Sequence, residues 1–225
     1  LQHHAGAQNN LAVLYSSGQG VTRNATEATK WWTVAAEHGY PVAQYNLGLQ
    51  LRIGQDVPRD YDKAFKWFTR AAEQDLPHAQ HVLGEMYENG EGVPPDLDKA
   101  AEWFTRCAEH GHPLAALQLG YRYDEGIGVP QNYAEAAKWY IRAAMQGDAI
   151  AQSKLGLLYA TGRGVAQDHE QAAKWFVKAA AQGLHEAEYN LSVAYYRGHG
   201  VSRNLAESIR LLTLSAEKGY AQAQH

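Results

Sequence analysis

A 36-residue period constrains this chain more than any other feature. Ala7 recurs in phase as Ala43, Ala79, Ala115, Ala151, Ala187 and Ala223, with no insertion or deletion between. Six complete units follow, 7–42, 43–78, 79–114, 115–150, 151–186 and 187–222. The first six residues and the last three read as fragments of neighbouring units. Ala223-Gln224-His225 repeats the opening Ala79-Gln80-His81, so the expectation is an array cut from a longer one. A period of this length marks repeats that cannot bury their apolar faces alone and stack to make a continuous core. The whole chain, 1–225, is therefore read as a single repeat domain.

Each unit carries two helical patterns. The fifth position is always Leu: Leu11, Leu47, Leu83, Leu119, Leu155 and Leu191. Four residues later stand Tyr15, Leu51, Tyr87, Tyr123, Tyr159 and Tyr195, on the same helical face. Between them lies Ala12, Gly48, Gly84, Gly120, Gly156 or Ser192. A mid-helix Gly is costly, so the expectation is close approach of another helix backbone. The first helix ends at a Gly in every unit, from Gly18 to Gly198, as a left-handed C-cap. A loop Val follows, from Val21 to Val201, and is expected to plug the gap between the helices. Then come Asn24, Asp60, Asp96, Asn132, Asp168 and Asn204, all strong N-caps. Glu27, Glu135, Gln171 and Glu207 complete the pattern of a capping box.

The second helix shows a stripe of Ala100, Trp103 and Cys107 in unit three, matched by Ala64, Trp67, Ala71 and by Ala136, Trp139, Ala143. The Trp is Trp31, Trp67, Trp103, Trp139 and Trp175, and becomes Leu211 in the irregular sixth unit. Another aromatic follows it: Trp32, Phe68, Phe104, Tyr140 or Phe176. The stripe is read as core, so Trp103→Ala is expected to cost about 3–5 kcal/mol. The helix ends at Gly39, Gly111, Gly147, Gly183 and Gly219, with Asp75 the exception.

Composition narrows function. Twenty Lys+Arg stand against 24 Asp+Glu, a formal charge of −4. That acidity argues against nucleic acid as a partner. No apolar run approaches the ~18–20 residues of a membrane span, so no membrane insertion is expected. One cysteine, Cys107, rules out an intrachain disulfide framework and a Cys-cluster zinc site. No cofactor is expected, because Gly-x-Gly-Val reads as a helix cap and turn with no strand before it.

The pattern Ala-x-x-x-Leu-Gly-x-x-Tyr-x-x-Gly-x-Gly-Val-x-x-Asp/Asn, then Ala-x-x-Trp-x-x-x-Ala-Ala-x-x-Gly, resembles the Sel-one-like repeat family. Unit three carries it as Ala79, Leu83, Gly84, Tyr87, Gly90, Gly92, Val93, Asp96, Ala100, Trp103, Cys107, Ala108 and Gly111. The resemblance covers residues 7–222. It implies an all-α fold, a right-handed α/α superhelical solenoid of six helix-turn-helix repeats related to tetratricopeptide repeats. It also implies a non-enzymatic adaptor for protein–protein complexes, of a kind abundant in bacteria. No targeting segment is visible, and periplasmic, exported or cytoplasmic settings all fit. Cysteine-rich relatives pair cysteines within each repeat and are linked to penicillin binding and hydrolysis. This chain lacks those pairs, which argues against a cell-wall or β-lactam-acting hydrolase. Self-association through the array ends is a third reading.

In this repeat class the first helices line the concave side. Their variable positions therefore supply the candidate partner site: Tyr45, Asn46, Arg52, Glu85, Glu88, Tyr121, Asp124, Glu125, Lys154, Tyr189, Asn190, Tyr196 and Arg197. Asn10, Asn46 and Asn190 resemble the Asn that pairs with an extended peptide backbone in related repeats, an amide being both donor and acceptor. The tyrosines offer rigid amphipathic contact area. Unit three has seven acids and two bases, whereas units five and six each have four bases and three acids. Glu85, Glu88, Asp124 and Glu125 are expected to form an acidic stretch, with Lys154 and Arg197 beyond it, facing a partner segment with basic residues.

Catalytic and metal readings are weak. No Ser/His/Asp arrangement recurs. His110 and His112 lie in an inter-unit turn and are expected to diverge from Cys107. His78 and His81 could share an ion, but no second pair is spaced to complete a site, and His3-His4 lie in a terminal fragment.

Overall fold

The computed structural model describes residues 2–217 and 219; residues 220–222 of the sixth unit and the fragment 223–225 lie outside the described residues. Twelve α-helices and no strand are present among them. They are α1 (Gln2–Ser17), α2 (Ala25–Glu37), α3 (Pro41–Ile53), α4 (Tyr61–Ala72), α5 (Pro77–Asn89) and α6 (Leu97–Glu109). Then come α7 (Pro113–Glu125), α8 (Tyr133–Met145), α9 (Ala149–Thr161), α10 (His169–Ala181), α11 (His185–Arg197) and α12 (Leu205–Glu217). The chain is an all-α solenoid of helical hairpins, two helices to each 36-residue repeat. It divides into two compact units, Leu1–Ala115 and Ala116–His225. In the first, hairpins α1–α2, α3–α4 and α5–α6 are joined through α2–α3 and α4–α5 contacts. In the second, α9–α10 and α11–α12 pair, with α8–α9 and α10–α11 linking neighbours.

Local sequence sets the helix ends. All six Asn/Asp caps accept a backbone N–H from the first turn of the helix that follows, for example Glu27 N to Asn24 Oδ1 at 3.1 Å and Lys99 N to Asp96 Oδ1 at 3.0 Å. Those N–H groups hold the Asp60 and Asp96 carboxyls below the usual carboxylate range. The reciprocal half of the capping box finds its target occupied. Each cap's own N–H donates across the hairpin to the carbonyl of Tyr15, Leu51, Tyr87, Tyr123, Tyr159 or Tyr195, at 2.8–3.0 Å. Glu27, Glu135 and Glu207 instead pair with Lys30, Lys138 and Arg210 one turn on.

The core differs from expectation in one respect. The ring that is buried is the aromatic after the Trp: Trp32, Phe68, Phe104, Tyr140 and Phe176. Trp31, Trp67, Trp103, Trp139 and Trp175 are only half-buried. Four of them carry a cation over the ring: Arg70 over Trp67 at 4.7 Å, Arg106 over Trp103 at 4.8 Å, Arg142 over Trp139 at 5.7 Å and Lys178 over Trp175 at 4.1 Å. The mid-helix Gly answers first to the buried ring, and at Gly156 also to the Ala172 carbonyl of the facing helix, 3.2 Å from where a Cβ would lie. A Cβ built on Gly84 would lie 2.8 Å from Cζ of Phe104, and one on Gly48 would lie 2.9 Å from Cε1 of Phe68. Only Gly admits the ring edge at that distance.

A second lock joins consecutive repeats. Gly164, in the loop after α9, sits at φ +71 against the carbonyl of Tyr133 at the start of α8, and Gly200 meets His169 the same way at the start of α10. A buried amide adds to it: Gln44, Gln80 and Gln152 donate to the carbonyls of Ala36, Ala72 and Ala144, the last turns of the preceding helices. The loop valines are half-buried in all six repeats. No helix among the described residues is long and apolar enough to cross a membrane.

Candidate partner-binding surface

The positions free of the seams lie on the first helix of each repeat. In the first unit, Tyr45 is half-buried and meets Phe68 and His78 edge-on, with centroids 5.7 and 6.0 Å apart. Burial raises its hydroxyl pKa, the charge of Glu85 adds to that, and Arg52 opposes it. Asn46 donates to Oδ1 of Asn9 in the preceding repeat at 3.1 Å. It also lines a cavity of about 200 Å3 with Ser16, Trp32, Leu49 and Ile53. Arg52 reaches Glu91 at 2.6 Å and Glu85 at 2.9 Å. Burial works against its charge, but the hydrogen bonds to Glu91 and Glu85 outweigh that and raise its pKa. Glu88 is exposed.

This corrects the expectation of a continuous acidic stretch. Glu85 is matched by Arg52 from one repeat earlier, while Glu88 is exposed. The same 33-residue offset joins Arg23 to Asp56 at 2.6 Å.

In the second unit Tyr121 is exposed. Asp124 accepts the Tyr140 hydroxyl at 3.2 Å, and burial, with the Asp124 charge behind it, pushes that hydroxyl far above its ordinary range. Asp124, Glu125 and Lys154 come together around a second cavity of about 200 Å3, with Tyr133 and Arg163. Lys154 lies 3.8 Å from Glu186. Tyr189 is half-buried, while Tyr196 is 58% exposed with the Arg203 guanidinium 5.9 Å from its ring. Asn190 and Arg197 line a larger cavity, about 390 Å3, between α9, α10 and α11. The candidate set read from the sequence leaves out several of its other walls: Leu157, Phe176, Val193, His169 and His199. The in-phase spacing of Asn46 and Asn190 was the available signal, since the two cavities occupy equivalent registers.

The histidines of the inter-unit turns gather in a way their spacing did not indicate: the His112 ring lies 5.2 Å from both His78 and His81. Burial lowers the His112 pKa, and His81 and His78 lower it further. Among the described residues no group of three His, Cys, Asp or Glu is arranged to hold a metal ion. Cys107 is buried and donates to the Pro77 carbonyl at 3.1 Å, and burial pushes its thiol up to about 12.

The profile of the Sel1 repeat matches six consecutive windows: 5–40, 41–76, 77–112, 113–148, 149–184 and 185–220. The chain belongs to the Sel1-repeat family. The period is the one read from the sequence, with each window opening two residues before the repeating Ala. Among solved structures, c5321, a protective antigen present in uropathogenic Escherichia coli strains and displaying an SLR fold, is 39% identical with a TM-score of 0.87. That match covers 98% of this chain and 47% of c5321. A Sel1 repeat protein from Oxalobacter formigenes is 36% identical with a TM-score of 0.74, over 98% of this chain and 64% of that one. This Sel1-repeat chain thus spans about half the length of the first and less than two thirds of the second. No curated protein matches it. Sel1-repeat proteins are generally scaffolds for protein–protein interaction, and the fold is typically non-catalytic.

Proposed function

We propose that this chain is a non-enzymatic scaffold whose six repeats, acting as one domain, hold a peptide segment or domain of a protein partner against their first helices. One observation carries the reading. The repeating positions are spent on seams, caps and buried rings, whereas the fourth, seventh and eleventh positions of the first helices line open cavities in both units. Asn46, Leu49 and Ile53 do so in the first unit, and Asn190, Val193 and Arg197 do so at the same register in the second. Tyr121 and Tyr196 add exposed aromatic surface of the kind that anchors interfaces.

Basic residues of the partner are proposed to meet Glu88 in the first unit and Asp124 and Glu125 in the second. Arg52 removes Glu85 from that set. The test is the affinity of the captured partner measured from about 50 to 500 mM salt, where screening of exposed charges shortens from over 10 Å to a few ångströms. Affinity falls with salt, and falls again on Glu125→Gln; a flat response contradicts the basic-partner reading. A hydrolase has only the resemblance to cysteine-rich relatives behind it. Turnover of a chromogenic β-lactam or of peptidoglycan by the purified chain would establish it and displace the scaffold reading.

A further inference from the structure

The cavity between α9, α10 and α11 has a definite chemistry. Its floor is apolar: Phe176, Leu157, Val193 and the methyl groups of Ala172 and Ala173. At about 390 Å3 it falls at the lower end of the ~300–1,000 Å3 typical of ligand pockets. Asn190, Val193, Ala194 and Arg197 present one face of α11 to it. None of the lining residues carries a carboxylate.

The polar groups around this floor sort into two kinds. Some are already engaged: the Thr161 hydroxyl donates to the Leu157 carbonyl at 2.8 Å, and the Gln167 amide donates to the Ala160 carbonyl at 2.9 Å. The others face outward. Arg197 is exposed and makes no ion pair among the described residues, and the side chain of Asn190 makes no hydrogen bond there. His169 and His199 stack at 4.5 Å with an interplanar angle of 20°, held by the tight seat of Gly200 on the His169 carbonyl. Three acids on these helices have their own cations: Glu170 pairs with Lys174, Glu186 with Lys154 and Glu207 with Arg210. Among the described residues the Arg197 guanidinium thus lines an apolar hole without an ion pair of its own.

We propose that this cavity receives an apolar side chain from an acidic peptide segment of the partner. The side chain rests on Phe176, an adjacent carboxylate meets Arg197, and the Asn190 amide pairs with the peptide backbone. A planar guanidinium suits a carboxylate in a two-point contact. An amide that both donates and accepts suits a peptide bond better than a free acid. The inference rests on the scaffold reading and sharpens it: this end of the surface is specific for acid beside apolar, the opposite of what Glu88, Asp124 and Glu125 favour.

The test is fluorescence anisotropy on the chain 1–225 with three labelled octapeptides. The first is Gly-Ser-Leu-Phe-Glu-Asp-Ser-Gly; the second has Lys-Lys in place of Glu-Asp; the third has Ser-Ser in place of Leu-Phe. The first binds at least about tenfold more tightly than the other two, a discrimination within reach of one charge contact and one buried side chain. Arg197→Glu cuts its affinity about tenfold and raises that of the Lys-Lys peptide, because the charge at the mouth reverses sign. Asn190→Ala weakens both. Arg197 is exposed, so circular dichroism shows the variant folded. Equal binding of the three peptides, an Arg197→Glu variant with the same preference, or competition by 3-phenylpropionate as effective as that by the peptide overturns the proposal. In those cases the scaffold reading stands if the Lys-Lys peptide still binds and is released by Glu125→Gln. Absence of binding by all three overturns the cavity assignment, and the scaffold reading then depends on cross-linking of the natural partner.

Discussion

Truncating two adjacent aromatics of α6 separates the observed core from the one that size alone suggests. Phe104 is fully buried, lies edge-on over Gly84 and meets the His81 ring at 5.5 Å. Phe104→Ala leaves a void that the Gly84 backbone cannot fill, and buried Phe truncations cost about 3–5 kcal/mol. Trp103 is larger but half-buried, with one face under the Arg106 guanidinium. Trp103→Ala loses only the covered part of the ring, about 1–2 kcal/mol, and a partly exposed cation–π contact of about 0.5–1 kcal/mol. It opens no enclosed cavity, because water already reaches the outer face. Phe104→Ala is therefore the more destabilising by about 1–3 kcal/mol. The two compact units make a single global transition unsafe to assume, so the comparison is made by guanidinium denaturation together with hydrogen-exchange protection of the α5 and α6 amides. A larger loss from Trp103→Ala in both measurements refutes this account of the seam.

Three further outcomes follow from the geometry. Gly164→Ala places a methyl against the Tyr133 carbonyl at a positive φ, whereas Gly39→Ala meets open space; thermal melts show the first losing several degrees more than the second, and equal losses contradict the inter-repeat lock. The Cys107 thiol, raised to about 12, keeps its proton in the folded chain while the unfolded chain releases it near its ordinary value of about 8.5. Folded stability is whole below that value and falls as pH rises toward 12, by up to about 1.4 kcal/mol per unit. Cys107→Ala, the residue at this position in most repeats, flattens that slope, and native Cys107 resists thiol reagents at pH 8 until denaturant is added. The His112 pKa is lowered, so the unfolded chain binds its proton first as pH drops below about 6.5. Stability of the first unit falls on acidification through that window, and His112→Asn reduces the loss; an unchanged acid limb argues against the packing of His112 on His78 and His81.

What was legible in the sequence was whatever is decided within a few residues. The 36-residue period, the six Asn/Asp caps and the glycines that close each first helix follow from local backbone needs, and all stand where expected. The misreading of Trp103 arose because two adjacent aromatics both fall near the edge of one stripe. Helical periodicity cannot rank them; the partner twenty residues earlier, Gly84, does. The capping box failed for a similar reason, since its second donor is taken by a carbonyl across the hairpin. At the candidate surface, the variable positions were found but their charges were read one repeat at a time. Arg52 and Glu85 meet at an offset of 33, from the tenth position of one repeat to the seventh of the next, and Asn9 meets Asn46 at 37. Offsets near the period carry that information, and single-unit inspection discards it.

Site-specific photo-cross-linking in extract of the source cell addresses the scaffold claim most directly. A benzophenone side chain is placed in turn at Tyr121 and Tyr196, on first helices, and at Met145, which is 77% exposed at the end of a second helix. The scaffold account predicts one protein partner trapped from Tyr121 and Tyr196, and displaced by excess unlabelled chain, with nothing from Met145. A partner trapped from Met145 alone would place binding on the opposite helices and contradict it.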